Sequence, residues 1–279
     1  MSSISARVRA PVGGGAEPQP VSSSPYIRIR GASKTYRSKR GDVVALGHVD
    51  LDVREGEFLS IVGPSGCGKS TLMRCVAGLA PISGGELTVR GERVTGPVMD
   101  LGIVFQRDLL LDWRNVMDNV LLAAEFGGRP IPDARACASR LLQTVGLGSF
   151  MDRYPWELSG GMRQRAAICR ALVTDPPCLL MDEPFGALDA LTRDELNAEL
   201  QSIWIQSRKT VLFITHGIGE AVFLSDRVVV MSPKPGRVLD TVKIDIPRPR
   251  PLSVRDSPEF ARYTARIRNT LTSSGAIRG

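Results

Sequence analysis

A glycine-rich string that follows a short apolar segment is the feature of this sequence that most restricts its fold. Residues 63–70 read G-P-S-G-C-G-K-S, which fits the phosphate-binding pattern G-x-x-x-x-G-K-[ST]. Phe58–Val62, just before it, has the length and apolar content of a buried strand, and residues 70–77 have helical spacing closed by Gly78. Strand, glycine loop and helix are the context in which this pattern binds a nucleotide. The string therefore predicts an α/β fold built around a phosphate site.

Each residue type in this string has a distinct chemical role. Gly63, Gly66 and Gly68 let backbone amides approach phosphate oxygens without a Cβ in the way, and the following helix presents its positive end to the same anion. Lys69 is placed to reach the β- and γ-phosphates, and the Ser70 hydroxyl to bind Mg²⁺. The alternative is a glycine-rich turn with an incidental lysine, which the flanking strand and helix argue against. The residues predicted to bind the nucleotide here are Gly63, Pro64, Ser65, Gly66, Cys67, Gly68, Lys69, Ser70 and Thr71.

A second apolar segment ends in two adjacent carboxylates. Residues 178–183 read C-L-L-M-D-E, which indicates a buried strand followed by acidic groups. At such a position the first carboxylate binds the metal, directly or through water, and the second polarises the water that attacks the γ-phosphate. By itself the pattern fits any strand that meets an acidic loop. Combined with the phosphate-binding string, it predicts ATP hydrolysis with Asp182 on Mg²⁺ and Glu183 as general base.

The remaining pattern predicts alternating strands and helices, interrupted by one wholly helical stretch. Alternation of apolar and polar residues over 26–33 and Val43–Val53 indicates half-buried strands, whereas residues 115–126 and 133–145 carry apolar residues at helical spacing. Strands that alternate with helices favour a largely parallel sheet covered on both faces. The predicted organisation is a disordered tail over 1–25, an ATP-binding core over 26–106 and 159–231 that begins with antiparallel strands, a helical subdomain over 107–158 and a C-terminal extension over 232–279.

Composition argues against several classes of protein. No apolar run reaches the about 18 residues of a membrane-spanning helix, and residues 1–25, rich in Ser, Gly and Pro, lack the apolar segment of a secretory signal. The five cysteines form no C-x-x-C pair and there are two histidines, so reduced thiols and no zinc site are expected. A net charge of +7 is compatible with nucleic acid or an anionic membrane surface. Because the basic residues are scattered, we expect no nucleic-acid partner.

Residues 158–165 read L-S-G-G-M-R-Q-R, a string that resembles the signature of ABC-type ATPases. The resemblance extends over residues 26 to about 231. It implies the ABC-type nucleotide-binding domain of P-loop NTPases, an α/β fold with a RecA-like core, a mixed sheet and an inserted α-helical subdomain.

The resemblance also implies roles for four residues outside the three strings. In the family pattern Gln106 touches Mg²⁺ or the attacking water, and His216 holds the γ-phosphate. Asp189 corresponds to the D-loop, and Tyr36 to the aromatic residue that stacks on adenine. With Glu183, the first two complete the predicted catalytic set, and Gln106 joins Ser70 and Asp182 as a predicted metal ligand.

The signature residues carry a prediction about assembly. In the family, residues corresponding to Ser159, Gly160 and Gly161 meet the γ-phosphate of the ATP bound to the opposite subunit. A small hydroxyl and bare amides at the start of a helix suit that anion. The chain has one phosphate loop and one signature. The resemblance therefore implies that two copies sandwich two ATP molecules head to tail.

Several stretches resemble the nitrate/sulfonate/taurine type of importer more narrowly. In that family the segment at 109–120 borders the groove that receives a helix of the membrane subunit. Three positions depart from the family pattern: Asp112 stands where proline is common, and Gly217 and Gly219 replace acidic residues after His216. Because Glu183 and His216 are both present, activity is expected to be retained, and the two glycines are expected to bear only on the hydrolysis rate or its coupling to transport. The stretches that carry the resemblance are 109–120, 215–228, 232–237, 246–250 and 255–260.

Three classes of function are compatible with these motifs. They are a transporter ATPase subunit, an ABC ATPase that acts on ribosomes or nucleic acid, and an unrelated P-loop kinase or ATPase. The signature disfavours the third class, and the lack of a second cassette or a coiled-coil insertion disfavours the second. We expect a peripheral subunit on the cytoplasmic face of the membrane, bound to two permease subunits and served indirectly by a solute-binding protein. From the resemblance, aliphatic sulfonate or taurine ranks first as cargo and nitrate second, with bicarbonate, pyrimidines and aromatic acids left open.

Overall fold

The structure is a computed structural model that describes residues 25–39 and 41–275. The tail predicted to be disordered, residues 1–25, lies outside these residues except for its last position. The strands are β1 (Ile27–Tyr36), β2 (Val43–Val53), β3 (Phe58–Val62), β4 (Gly84–Val89), β5 (Glu92–Arg93), β6 (Leu101–Val104), β7 (Cys178–Asp182), β8 (Thr210–Thr215), β9 (Arg227–Met231) and β10 (Val238–Lys243). The α-helices are α1 (Lys69–Val76), α2 (Val116–Phe126), α3 (Ile131–Thr144), α4 (Gly160–Leu172), α5 (Ala190–Ser207), α6 (Ile218–Leu224) and α7 (Pro258–Ser273), with 3₁₀ turns at Gly148–Phe150, Pro155–Glu157 and Leu252–Asp256.

The larger of two sheets has the strand order β10-β9-β3-β8-β7-β6. Strands β9, β3, β8, β7 and β6 run parallel, and β10 joins the edge antiparallel to β9. Successive residues of β3 point to opposite faces: Phe58 and Val62 belong to one buried cluster, and Leu59 and Ile61 to another. Both faces are covered, as the sequence predicted, and every residue of the central strands β3, β7 and β8 is buried.

The smaller sheet is antiparallel, with the order β2-β1-β4-β5. Its strand β1 is longer than the predicted 26–33 and ends at Tyr36. The extra residues of β1 pair with the start of β2, from Lys34 with Leu46 to Tyr36 with Val43. This pairing carries Tyr36 to the end of the sheet that adjoins the phosphate loop.

The residues that follow the parallel strands lie at one edge of the larger sheet. The glycine loop follows β3, Glu183 follows β7, and His216 follows β8. In open α/β sheets ligands bind outside the carboxyl ends of the strands, and this is where these groups meet.

A third buried cluster forms the helical region. It contains residues of α2 and α3 such as Val120 and Ala138, and also Ala166 and Cys169 of α4. Helix α2 begins one residue after Asn115, whose side chain accepts a hydrogen bond from the Asp118 amide at 2.8 Å. The sequence analysis placed helix α4 in the ATP-binding core. In the structure one face of α4 packs on the helical region, and Ile168 and Leu172 on another face belong to a buried cluster of the larger sheet. The domain limits stated above remain a proposal.

The C-terminal residues are built into the sheet core. Strand β10 was not predicted, because its side chains alternate only between half-buried and exposed up to Val242. Arg250, beyond this strand, is 2% exposed. Its guanidinium donates to the carbonyl oxygens of Val222, Phe223 and Ser225 at 2.7, 2.9 and 3.0 Å. These bonds satisfy carbonyl groups at the C-terminal end of α6. Burial lowers the pKa of Arg250 to about 10. The Pro-Arg repeat at 247–251 therefore secures the helix that follows His216.

Candidate nucleotide site

The glycine loop between β3 and α1 depends on two left-handed residues. Gly66 and Gly68 have φ of +75° and +108°, values that side chains rarely adopt. A Cβ on Gly68 would lie 2.7 Å from the Ala45 carbonyl oxygen, so only glycine fits there. A Cβ on Gly66 would meet no atom within 4 Å. The loop thus packs closely on β2 at Gly68 and leaves open space at Gly66, where an anion can approach the backbone amides.

Lys69 is held at the mouth of the loop. Its side chain is 5% exposed, and Nζ donates to the carbonyl oxygens of Gly63 at 2.8 Å and Pro64 at 3.1 Å. The same Nζ lies 3.9 Å from Glu183 Oε1. A buried ammonium bound by carbonyls and one carboxylate is positioned to bind a phosphate group.

Ser70 and Asp182 form the polar pair next to it. Ser70 Oγ donates to Asp182 Oδ1 at 2.9 Å, and burial raises the pKa of Asp182. Among the described residues no three His, Cys, Asp or Glu side chains are grouped to hold a metal ion by themselves. Mg²⁺ commonly takes one or two protein ligands together with substrate phosphates and water. A hydroxyl beside a buried carboxylate fits that donor set, because the cation would offset the desolvation of Asp182.

Glu183 lies at the centre of the predicted catalytic residues. Its Oε2 is 3.4 Å from Gln106 Nε2 and 3.3 Å from His216 Nδ1. The residue has φ of +46°, and its amide donates to the Ile214 carbonyl at 2.8 Å. A non-glycine residue in this strained conformation persists when its surroundings fix it, and such residues cluster at active sites. The three predicted catalytic residues are therefore brought together.

Lys69, Ser70, Gln106 and Glu183 line one cleft of about 380 Å³, whereas His216 lines an adjacent pocket that shares Glu183, and Asp182 lines neither. Tyr36 is 39% exposed at the wall of the cleft, with Lys34 Nζ 5.0 Å from the ring centroid. The Cys67 side chain is 1% exposed inside the core and does not line the cleft. The lining residues are Tyr36, Val43, Ala45, Ser65, Gly66, Gly68, Lys69, Ser70, Thr71, Gln106, Glu183 and Lys234. Of these, Lys234 was not assigned a role from the sequence, where it stands in the importer-like stretch 232–237.

Of the signature residues, Ser159 and Gly160 are exposed elsewhere on the surface, whereas Gly161 is buried and a Cβ on it would lie 2.7 Å from Thr192 Cγ2. Ser159 caps α4, its Oγ accepting from the Met162 amide at 3.3 Å, and Gly160 is exposed. Asp189 caps α5 by accepting from the Thr192 amide at 3.0 Å, and this hydrogen bond lowers the pKa of Asp189. None of these groups lines the cleft of its own chain. The structure therefore does not bring the signature residues and Asp189 to the other predicted nucleotide ligands.

A buried acid supports the segment that carries His216. Thr215 Oγ1 donates to Glu220 Oε2, and the Gly217 amide donates to Thr215 Oγ1 at 2.9 Å. Burial raises the pKa of Glu220. A Cβ on Gly217 would lie 3.3 Å from Glu220 Cβ, which is tight, whereas one on Gly219 would meet nothing within 4 Å. Glu220 is the third residue of an apolar helix, and this position gave no sequence signal of its role.

Comparison with known proteins identifies the family. A family model described as ABC transporter matches residues 46–186. A taurine import ATP-binding protein, TauB, of Rhizobium johnstonii is 46% identical over 258 residues, which cover 90% of this chain and 98% of that protein. The chain belongs to the ABC transporter ATP-binding family. The predicted family, fold class and ATPase activity are thereby confirmed.

Other relatives of this ABC ATPase carry related names. The nitrate import ATP-binding protein NrtD of Synechocystis sp. is 41% identical over 88% of this chain and 95% of its own length. A dimeric structure of the bacterial ABC transporter cassette MJ0796 superposes with a TM-score of 0.71 at 33% identity, covering 79% of this chain and 99% of that one. No helix in the described part of the ABC ATPase is both long enough and apolar enough to cross a membrane.

Proposed function

We propose that this chain powers the import of taurine or another aliphatic sulfonate, with nitrate as the second candidate. The observation that carries the proposal is the 46% identity to the taurine import protein of Rhizobium johnstonii over 98% of that protein's length. A second taurine import protein, from Escherichia coli O157:H7, is 43% identical over 79% of this chain, against 41% for the nitrate import protein. The cargo does not touch this subunit in such a transporter, so the choice rests on whole-chain similarity.

The geometry of the cleft supports a division of roles in ATP binding. Amides of the loop around Gly66 and the Lys69 ammonium bind the β- and γ-phosphates. Ser70 and Asp182, with Gln106 nearby, hold Mg²⁺, which when bound neutralises charge on the phosphates. Tyr36 stacks on the adenine. These assignments agree with the burial of Lys69 and Asp182 and with the exposed ring of Tyr36.

The chemical step requires a base and two groups that position it. Glu183 accepts the proton of the water that attacks the γ-phosphate, so that a P–O bond forms to water as the bond to ADP breaks. Gln106 and His216 both contact Glu183 Oε2, at 3.4 and 3.3 Å, and keep that oxygen oriented toward the water. His216 also donates to the γ-phosphate as negative charge develops there.

A second copy completes the site. No signature residue is among the described residues that line the cleft, and Ser159, at the start of α4, is exposed outside it. Two chains arranged head to tail would place each signature against the ATP in the opposite cleft, with Asp189 beside it. The dimeric ABC cassette structures that resemble this chain support the arrangement.

An exposed aromatic surface supports docking to the permease subunits. Trp113 is 74% exposed and Trp156 is 64% exposed, and the Trp156 ring stacks on Tyr154 at 4.7 Å. The Val116 amide donates to the Arg153 carbonyl at 2.8 Å, which joins the two segments. Contiguous exposed apolar patches mark interaction sites, and the stacked rings of Tyr154 and Trp156 form part of such a patch. We place the membrane subunits here, with this chain on the cytoplasmic face, the solute-binding protein reached only through the permease, and no nucleic acid involved.

The substrate proposal is tested in the assembled transporter. This chain is reconstituted in liposomes with two permease subunits and the solute-binding protein encoded beside it, and ATP hydrolysis and uptake are measured. We expect taurine-loaded binding protein to stimulate hydrolysis and drive taurine uptake, while nitrate does neither. Stimulation by nitrate alone would favour the second candidate. Basal hydrolysis that responds to neither ligand would contradict the substrate proposal and leave the ATPase activity standing.

A further inference from the structure

The turn between β9 and β10 brings a lysine to the nucleotide cleft. Lys234 lines the same cleft as Tyr36, Lys69 and Ser70, although it lies in the C-terminal part of the chain. Its side chain is exposed, and no hydrogen bond or ion pair joins it to another described residue. An ammonium group without a partner at the wall of a phosphate site is a candidate ligand.

The turn is fixed to the sheet on one side. The Gly236 amide donates to the Ala45 carbonyl at 3.0 Å, and the Gly47 amide donates to the Gly236 carbonyl at 3.0 Å. These two bonds add the turn to β2 as a short parallel bridge. The turn cannot move from β2 without losing both bonds.

On its other side the turn packs on the phosphate loop itself. A Cβ on Gly236 would lie 2.1 Å from the Cys67 carbonyl oxygen, so the two backbones are in direct contact and only glycine fits. A Cβ on Gly63 would lie 3.0 Å from the Met231 carbonyl oxygen, which shows the same closeness at the end of β9. The distance between the turn and the loop is therefore set by backbone packing.

Bonds within the turn restrict the lysine further. Ser232 Oγ donates to the Pro235 carbonyl at 3.0 Å and accepts from the Arg237 amide at 3.0 Å. The prolines on both sides of Lys234 fix their own φ angles, which leaves little freedom in the backbone at that residue. The side chain thus starts from a defined point beside the cleft.

The charges of the cleft residues favour an anionic ligand for the Lys234 ammonium group. Lys69 and Lys234 are the two cations among the described lining residues, and Glu183 is the one carboxylate. Lys69 lies 3.9 Å from Glu183 and is bound by two carbonyls, whereas Lys234 has no such partner. A nucleotide brings several negative charges into this space.

We propose that Lys234 is a further nucleotide-binding residue, whose ammonium pairs with a phosphate group of the bound nucleotide. The inference rests on the nucleotide site proposed above and extends it to the C-terminal extension. Through this contact the β9–β10 turn and the phosphate loop hold the same ligand.

The test compares nucleotide affinity in three variants of the full chain. Titration of Mg-ADP is expected to show about 3- to 10-fold weaker binding for Lys234→Ala, as for one charge-assisted contact at a partly exposed site, and binding within about twofold of wild type for Lys234→Arg. Arg237→Ala is the matched control, since it removes an exposed positive charge from the same turn but does not line the cleft. It should bind Mg-ADP as wild type does.

A second measurement identifies the part of the nucleotide that is contacted. Adenosine, used as a competitor against labelled ADP, should bind wild type and Lys234→Ala equally, because it has no phosphate. Equal weakening of adenosine, unchanged ADP affinity in Lys234→Ala, or the same loss in Arg237→Ala would each overturn the inference. If wild type itself binds no ADP, the nucleotide site is wrong, and that outcome is distinct from a failure at Lys234 alone.

Discussion

The nucleotide cleft and the signature end of α4 differ in how far one chain completes them. In the cleft, Lys69, Asp182 and Glu183 each contact a side chain or carbonyl from another part of the chain. At the signature end, Ser159 bonds only within its own helix turn and Gly160 is exposed. The charged side chains of the cleft already contact other residues of the same chain, whereas the exposed donors at the signature end are proposed to bind the ATP held by a second copy. Chemistry and assembly should therefore be separable by mutation.

The largest expected effect is in the cleft. Glu183→Gln keeps the shape of the side chain but cannot accept a proton, so we expect ATP hydrolysis to fall by about 10³-fold while ATP binding is retained. The measurement is steady-state phosphate release together with nucleotide titration. Glu195→Gln, on the exposed face of α5, is the control and should hydrolyse ATP at the wild-type rate. Turnover of Glu183→Gln within tenfold of wild type would show that another group is the base.

The next effect tests whether the cleft is held by the C-terminal residues. Arg250→Met leaves the carbonyls at the end of α6 without their donor, and we expect the free energy of unfolding to fall by about 3 kcal/mol in chemical denaturation. Arg262→Met, on the exposed side of α7, should change it by less than about 0.5 kcal/mol. A loss below about 1 kcal/mol for Arg250→Met would mean that α6 does not depend on this residue.

A charge at the signature end should affect assembly alone. Gly160→Glu has room for its Cβ, whose nearest neighbours would be 3.8 Å and 3.9 Å away, and an acidic residue at a helix start does not destabilise the helix. In the Glu183→Gln background it should weaken ATP-dependent dimerisation by about 100-fold or more, because the new carboxylate faces the partner's γ-phosphate.

Sedimentation in Mg-ATP measures this dimerisation. Gly96→Glu, where a Cβ would meet nothing within 4 Å, is the control and should dimerise as the parent does. ATP binding to the monomer should be the same in both variants. A Gly160→Glu protein that still forms the ATP-dependent dimer would contradict the head-to-tail arrangement.

The smallest effect concerns the buried acid behind His216. Because burial raises the pKa of Glu220 in the folded protein, the native state binds its proton more tightly than the unfolded state does. This group therefore favours folding below its unfolded pKa, and that contribution is lost as pH rises through the folded pKa. Glu220→Gln lacks the titration, so its stability relative to wild type should increase as the pH rises above 4.5, the ordinary pKa of glutamate, in denaturant unfolding at a series of pH values. A pH-independent difference would show that the pKa of Glu220 is not raised by folding.

The predicted base could be found from its own segment, because Glu183 follows the apolar strand β7 and comes directly after a second carboxylate. Parallel strands end at one edge of the sheet, so topology rules place the residue after β8 near it. The family resemblance supplied the roles proposed for His216 and Gln106, which the structure places 3.3 and 3.4 Å from Glu183 Oε2.

Other features had no local signal. Strand β10 reads V-L-D-T-V-K, which does not alternate apolar and polar residues, so only its pairing with β9 reveals it. Arg250 looks like one more charge in a proline-rich linker, yet it is 2% exposed. Helix α4 contributes residues to two buried clusters, so a domain boundary drawn along the sequence cannot assign it to one of them. All three features depend on contacts between segments that are distant in the sequence.

The sequence by itself determined the chemistry of this ABC ATPase, since the glycine loop, the carboxylates at 182 and 183 and the signature string carry their roles in their residue types and order. Only the tertiary structure decided which groups share one cleft: it includes Lys234 from the C-terminal part and leaves out Ser159, Gly160, Gly161 and Asp189. The physical reason is that residue type sets what a group can bind, whereas the sheet order and close glycine packing set which groups reach the same ligand.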